Sequence, residues 1–116
     1  MGFGPTTNDP QKGVQAILDL VELLYPERST ASCQTWLGHI SLAVLSAHAP
    51  LSFVTIDRFL KDAEYRSMIL SHPAVPEALA ELWKDFSGPL DASQLDPDLA
   101  WLINDRLSTL HDEEDH

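Results

Sequence analysis

Cys33 is the only cysteine of the chain and the side chain best suited to nucleophilic chemistry. That role needs a thiolate, and so a neighbouring base or cation. His39 and His48 lie too far along the same predicted helix to supply one, and Cys33 falls on an apolar stripe. An inert, buried thiol is the expectation. The histidines His39, His48, His72, His111 and His116 include no pair three or four residues apart. A metal site would therefore need ligands converging from separate elements, and no metal or cofactor is expected. His111 and His116 flank a carboxylate-rich tail that would hold a cation only incidentally. There is no serine elbow, Gly-rich phosphate loop or Gly-Lys-Ser/Thr run, so no catalytic residue is expected.

Charge is the more informative signal. The formal net charge is −11. Residues 77–116 hold eleven acids against Lys84 and Arg106, a net of −9, and residues 1–76 hold seven acids against five bases, a net of −2. Glu77, Glu81 and Asp85 recur at four-residue spacing, opposite the side of Leu79, Trp83 and Phe86. Like charges so spaced destabilise a helix by a few tenths of a kcal/mol per pair, and an anion at its C-terminus opposes the helix dipole. A Lys- or Arg-bearing partner would relieve that repulsion, which makes these three the expected partner-binding residues. The plainer reading is a solvated face. Phosphate backbones and anionic lipid surfaces are repelled, so direct nucleic-acid binding is disfavoured.

These side chains must be positioned by helices. The expected fold is all-α, a compact bundle of five to six short helices with no sheet. Residues 1–8 read as an irregular leading segment, 9–110 as the helical domain and 111–116 as an acidic, fraying tail. Asp9-Pro10 starts a first helix, with Val14, Ile17, Leu18, Val21, Leu24 and Tyr25 inward and Pro26 ending it. Ser29 or Thr30 caps a second helix reaching about Ala49. Its main stripe is Cys33, Trp36, Leu37, Ile40, Val44 and Ala47, and Leu42 and Leu45 widen it, so this helix should be central. Gly38 in its interior is expected to admit a close neighbour.

Ser52 caps a third helix, and Lys61-Asp62 leaves open whether residues 53–70 form one helix or two. Asp57 with Lys61, and Asp62 with Arg66, are expected as surface pairs. A fifth helix is expected from about Ala74 to Phe86, with Pro76 in its first turn and Gly88-Pro89 as the stop. Asp96-Pro97 opens the last, with Leu99, Leu102, Ile103, Leu107 and Leu110 buried. Trp36, Trp83 and Trp101 should pack in the core or at helix junctions. A lone cysteine forms no internal disulfide, no apolar run reaches the roughly 18 residues of a membrane helix, and the N-terminus lacks a signal peptide's pattern, so a cytoplasmic address is expected.

Three segments resemble the helical insertion of the coupling-protein ATPases of type IV secretion and conjugation. One is Leu18-Asp19-Leu20-Val21-Glu22-Leu23-Leu24-Tyr25-Pro26-Glu27, running into Trp36-Leu37-Gly38-His39-Ile40. The second is Pro50 to Arg66, with a Ser/Thr cap, an apolar helix, a Leu-x-Asp break at Leu60-Lys61-Asp62 and the aromatic-Arg pair Tyr65-Arg66. The third is Leu99-Ala100-Trp101-Leu102-Ile103-Asn104-Asp105-Arg106-Leu107. The resemblance spans roughly residues 14–110. It implies an all-helical domain, inserted in a cytoplasm-facing motor, that recognises DNA-processing complexes or secreted proteins. The motor's nucleotide loop, Walker aspartate strand and membrane segment are absent from this sequence, so ATPase activity does not transfer to it. The acidity departs from versions of the domain thought to touch DNA, and favours a receptor for a basic relaxosome component or effector. The alternative from another class is a free-standing acidic regulator, a nucleic-acid mimic that blocks a DNA-binding protein.

Overall fold

The computed structural model of the chain describes residues 9–114; the expected irregular segment 1–8 lies outside them. Among the described residues six α-helices follow one another: α1 (Pro10–Leu24), α2 (Ala31–Ser46), α3 (Phe53–Lys61), α4 (Ala63–Leu70), α5 (Glu77–Trp83) and α6 (Pro97–Glu114), with a 3₁₀ turn at Ala92–Gln94. No strand occurs among the described residues. The fold is the expected all-α bundle.

Five of the six helix starts follow from side-chain caps. Asp9 accepts from the Gln11 amide, Thr30 from Cys33 and Ser52 from Thr55. Asp62 accepts from both Glu64 and Tyr65, and Asp96 from Leu99. Each bond satisfies an amide that the first helical turn leaves without a partner. Asp62 also terminates α3, its own amide bonding Arg58 O. Residues 53–70 are therefore two helices sharing one joint.

α2 is central. Its buried residues Cys33, Leu37, Ile40, Ser41, Ala43, Val44 and Ser46 point to several sides, because α1, α3, α4 and α6 all pack against it. Ile56, Phe59, Leu60, Trp83, Leu99, Leu102 and Ile103 pack around it in the same core. Gly38 does not play the expected role. A β-carbon there would stand 3.8 Å from Val14 Cγ1 and 4.0 Å from Leu18 Cδ1, an ordinary contact. The close approach is at Gly13 on α1, where a β-carbon would meet Leu45 Cδ1 at 2.5 Å. Gly38→Ala should therefore raise unfolding free energy by about 0.5–1 kcal/mol, since it lowers the backbone entropy of the unfolded chain without a clash. Thermal unfolding followed by circular dichroism measures this, and a fall in midpoint would mean α1 sits closer than described.

Four boundaries differ from expectation. α5 spans Glu77–Trp83 rather than 74–86. Pro76 is extended (ψ 138°) and lies just before the helix instead of in its first turn. At the other end the Phe86 amide bonds Trp83 O in a turn, because Phe86 swings inward to pack on Trp36 and Trp83. α2 stops at Ser46, not Ala49: His48 adopts the left-handed conformation (φ 62°) and the Ala49 amide reaches back to Val44 O. This is a Schellman-type ending with His where glycine is usual. α6 continues through Glu114, past the expected limit at 110. Leu24, expected inward, is half-exposed.

Candidate docking surface

The acidic residues lie where a partner could reach them, though not as one continuous helical stripe. Glu77, Glu81 and Asp85 are all exposed. Only Glu77 and Glu81 share α5; Asp85 falls in the turn beyond Trp83, because the chain leaves the helix early. Glu81 already has a cation, Lys84 Nζ at 3.3 Å, in a solvent-exposed pair. Such pairs contribute little to stability and exchange readily with other partners.

Most other cations are also committed within the molecule. Lys61 pairs with Asp57 at 3.1 Å, as the spacing predicts. Arg58, not Arg66, pairs with Asp62, at 3.7 Å, and its guanidinium lies 4.2 Å over the Tyr65 ring. Arg66 is instead buried, 3% exposed. It donates from Nη1 to the carbonyls of Phe59 (3.2 Å) and Leu60 (2.9 Å), and from Nη2 to Gly88 (2.6 Å). The first two carbonyls belong to the last turn of α3, where the helix dipole is negative. Burial lowers the Arg66 pKa from its ordinary value. The expected surface pair Asp62–Arg66 is thus replaced by an internal staple between α3, α4 and the loop after α5.

A second polar cluster ties the α1–α2 corner to α6. Tyr25 donates to Asp105 at 2.7 Å, and Arg106 donates to the Tyr25 hydroxyl at 3.4 Å. Arg28 pairs with Asp98 at 3.3 Å and stacks 4.4 Å over Trp101, whose ring meets Tyr25 edge-on at 5.7 Å. Trp101 is therefore a junction residue. Sequence reasoning missed this clasp, because its partners lie 70 to 81 residues apart and carry no local signature.

Cys33 is fully buried, and desolvation, with lesser contributions from Asp96 and Asp98, pushes its thiol up to about 12. In the native state it should resist thiol reagents at pH 8 and label fully in denaturant; native-state labelling at the rate of a free thiol would show that α2 is not covered as described. His48 and His72 do converge, ring centroids 5.4 Å apart, through the turns after α2 and α4. His72 Nδ1 accepts from the Ala74 amide. No group of three His, Cys, Asp or Glu side chains suited to a metal occurs among the described residues. A hollow of about 530 Å³ is bordered by Asp57, Lys61, Asp91 and Asn104. Its carboxylates are engaged, Asp57 with Lys61 and Asp91 with the Ser93 amide and hydroxyl, which lower the Asp91 pKa.

Comparison of the chain with protein-family models, curated proteins and solved structures gave no match. Among the described residues, no helix is long and apolar enough to cross a membrane.

Proposed function

We propose that this domain is a docking module without chemistry of its own, which recruits basic proteins by charge. The observation that carries this reading is the fate of its cations. Four of the seven, Arg28, Arg58, Lys61 and Lys84, pair at the surface with carboxylates of the same chain, and a fifth, Arg66, is buried. With eighteen carboxylates against seven cations, the net charge of −11 gives the domain a strongly negative field. Such a field attracts cationic proteins over roughly 8 Å at physiological salt and acts mainly on encounter rate and specificity. The resemblance to the helical insertion of coupling-protein ATPases supports one setting, the cytoplasmic face of a type IV secretion or conjugation motor. There the partner would be a basic relaxosome component or secreted effector. Glu77, Glu81 and Asp85 are the proposed contacts.

The test is a titration of the domain with a basic effector tail, followed by fluorescence anisotropy at rising salt. Affinity should fall steeply with salt, and Glu77→Lys/Glu81→Lys should weaken binding by about fivefold or more at low salt. Binding indifferent to salt would defeat the reading. Binding unchanged in the double variant would remove α5 from it.

A further inference from the structure

A second hollow, of about 460 Å³, lies between α4 and the turn after α5, within the size range of small-molecule sites. Asp57 and Asp91 border the larger hollow, but no carboxylate lines this one. Its nitrogen donors are Arg66, Trp83 and Lys84, with the hydroxyls of Ser67 and Ser87 beside them, and Leu70 and Phe86 give it an apolar wall.

Two of these donors are buried and incompletely satisfied. Trp83 is 1% exposed, and its Nε1–H has no acceptor among the described residues. Buried donors are nearly always bonded, so one left bare asks for an acceptor from elsewhere. Arg66 is 3% exposed. Both N–H groups of Nη1 and one of Nη2 go to the carbonyls of Phe59, Leu60 and Gly88, which leaves Nε–H and the second on Nη2. Those carbonyls are dipoles, and among the described residues Arg66 has no carboxylate against its charge. A buried cation ordinarily has such a partner. Lys84 is shared with Glu81 in solvent and adds a cation only at the rim.

Donors in excess, a cation without a counter-charge and an apolar wall together select the ligand. A carboxylate has two oxygens that accept and no hydrogen to give, and its bonds to a guanidinium are charge-assisted. A phosphate group would carry about twice the charge into the field of a chain at −11, which repels it more strongly. We propose that this hollow binds a small organic carboxylate. Its oxygens accept from Trp83 Nε1 and the remaining Arg66 N–H groups, and its apolar body lies against Leu70 and Phe86. The site is separate from the recruitment of basic proteins and does not depend on it.

The probe is phenylacetate, titrated into the full chain while nitrogen–proton NMR spectra follow the Trp83 indole and the Ser67 and Ser87 amides. The indole proton should move downfield and saturate, with a dissociation constant on the order of 1 mM for so small a ligand. Phenylacetamide, alike in shape but uncharged, should bind about tenfold more weakly. Ser67→Asp sets a carboxylate on the exposed rim and should weaken phenylacetate about fivefold or more, with the thermal midpoint unchanged. The comparison of the two ligands needs no variant. No saturation at about tenfold higher concentration overturns the site. Serine amides that shift while the indole stays still overturn it too, since the buried donor would then play no part. Equal binding of the amide, or by Ser67→Asp, overturns recognition of the carboxylate, and inorganic phosphate displacing the probe at lower concentration gives the site to phosphate instead.

Discussion

Arg66→Ala is expected to destabilise the domain by about 3–5 kcal/mol, a large share of the stability of a chain this size. Three carbonyls, those of Phe59, Leu60 and Gly88, lose the guanidinium at once, although Leu60 O keeps the Leu90 amide at 2.8 Å. Hydrogen bonds to a charged donor each contribute about 1.5–3 kcal/mol, and buried acceptors left without a partner add a desolvation penalty. The loss is local in origin but joins three elements, so it should appear as reduced cooperativity as well as a lower urea midpoint. Arg66→Lys retains the charge but not the planar fork that reaches several carbonyls, so it should recover only part of the stability. If Arg66→Ala shifted the midpoint by less than the equivalent of about 1 kcal/mol, the staple would not hold the fold, and the buried guanidinium would need another explanation.

Trp83→Ala is expected to cost about 3–5 kcal/mol by the cavity it leaves. Trp83 is 1% exposed and is the largest fully buried side chain. Its ring contacts Phe59, Trp36 and Phe86 at centroid separations of 5.1, 5.6 and 5.4 Å. It thereby locks the short α5, which has no side-chain cap of its own, onto α2 and α3. The indole Nε1 is buried without an acceptor. Trp83→Phe should therefore cost well below the alanine value, because the smaller ring also removes a desolvated donor. Equal losses for the two variants, measured by chemical denaturation, would show that ring volume is not what holds α5.

The helical architecture was legible because it rests on short-range rules. Asp9-Pro10 and Asp96-Pro97 start helices through local hydrogen bonds and fixed proline geometry, and the two-sided apolar pattern of α2 foretold its central place. The errors have physical causes. The fifth helix looked longer because apolar spacing continues through Phe86, while ring packing on Trp36 draws that residue off the helix. Arg66 reads as a surface charge beside Asp62. Only the fold brings the end of α3 and Gly88 within its reach. His48 in a left-handed turn carries no sequence mark, since glycine is the usual occupant. The acidic face was visible in composition, but Asp85's departure from α5 was not.

The joint at Asp62 constrains how this sequence can change by insertion or deletion. One residue both closes α3 and opens α4, so no slack exists between the two helices. An extra residue just after it would turn α4 by about 100° about its axis and carry Arg66 away from the carbonyls it binds. The segment from Phe53 to Leu70 should thus tolerate side-chain replacement far better than any change of length. Relatives of this chain should keep that spacing fixed while the loop between α5 and α6 varies.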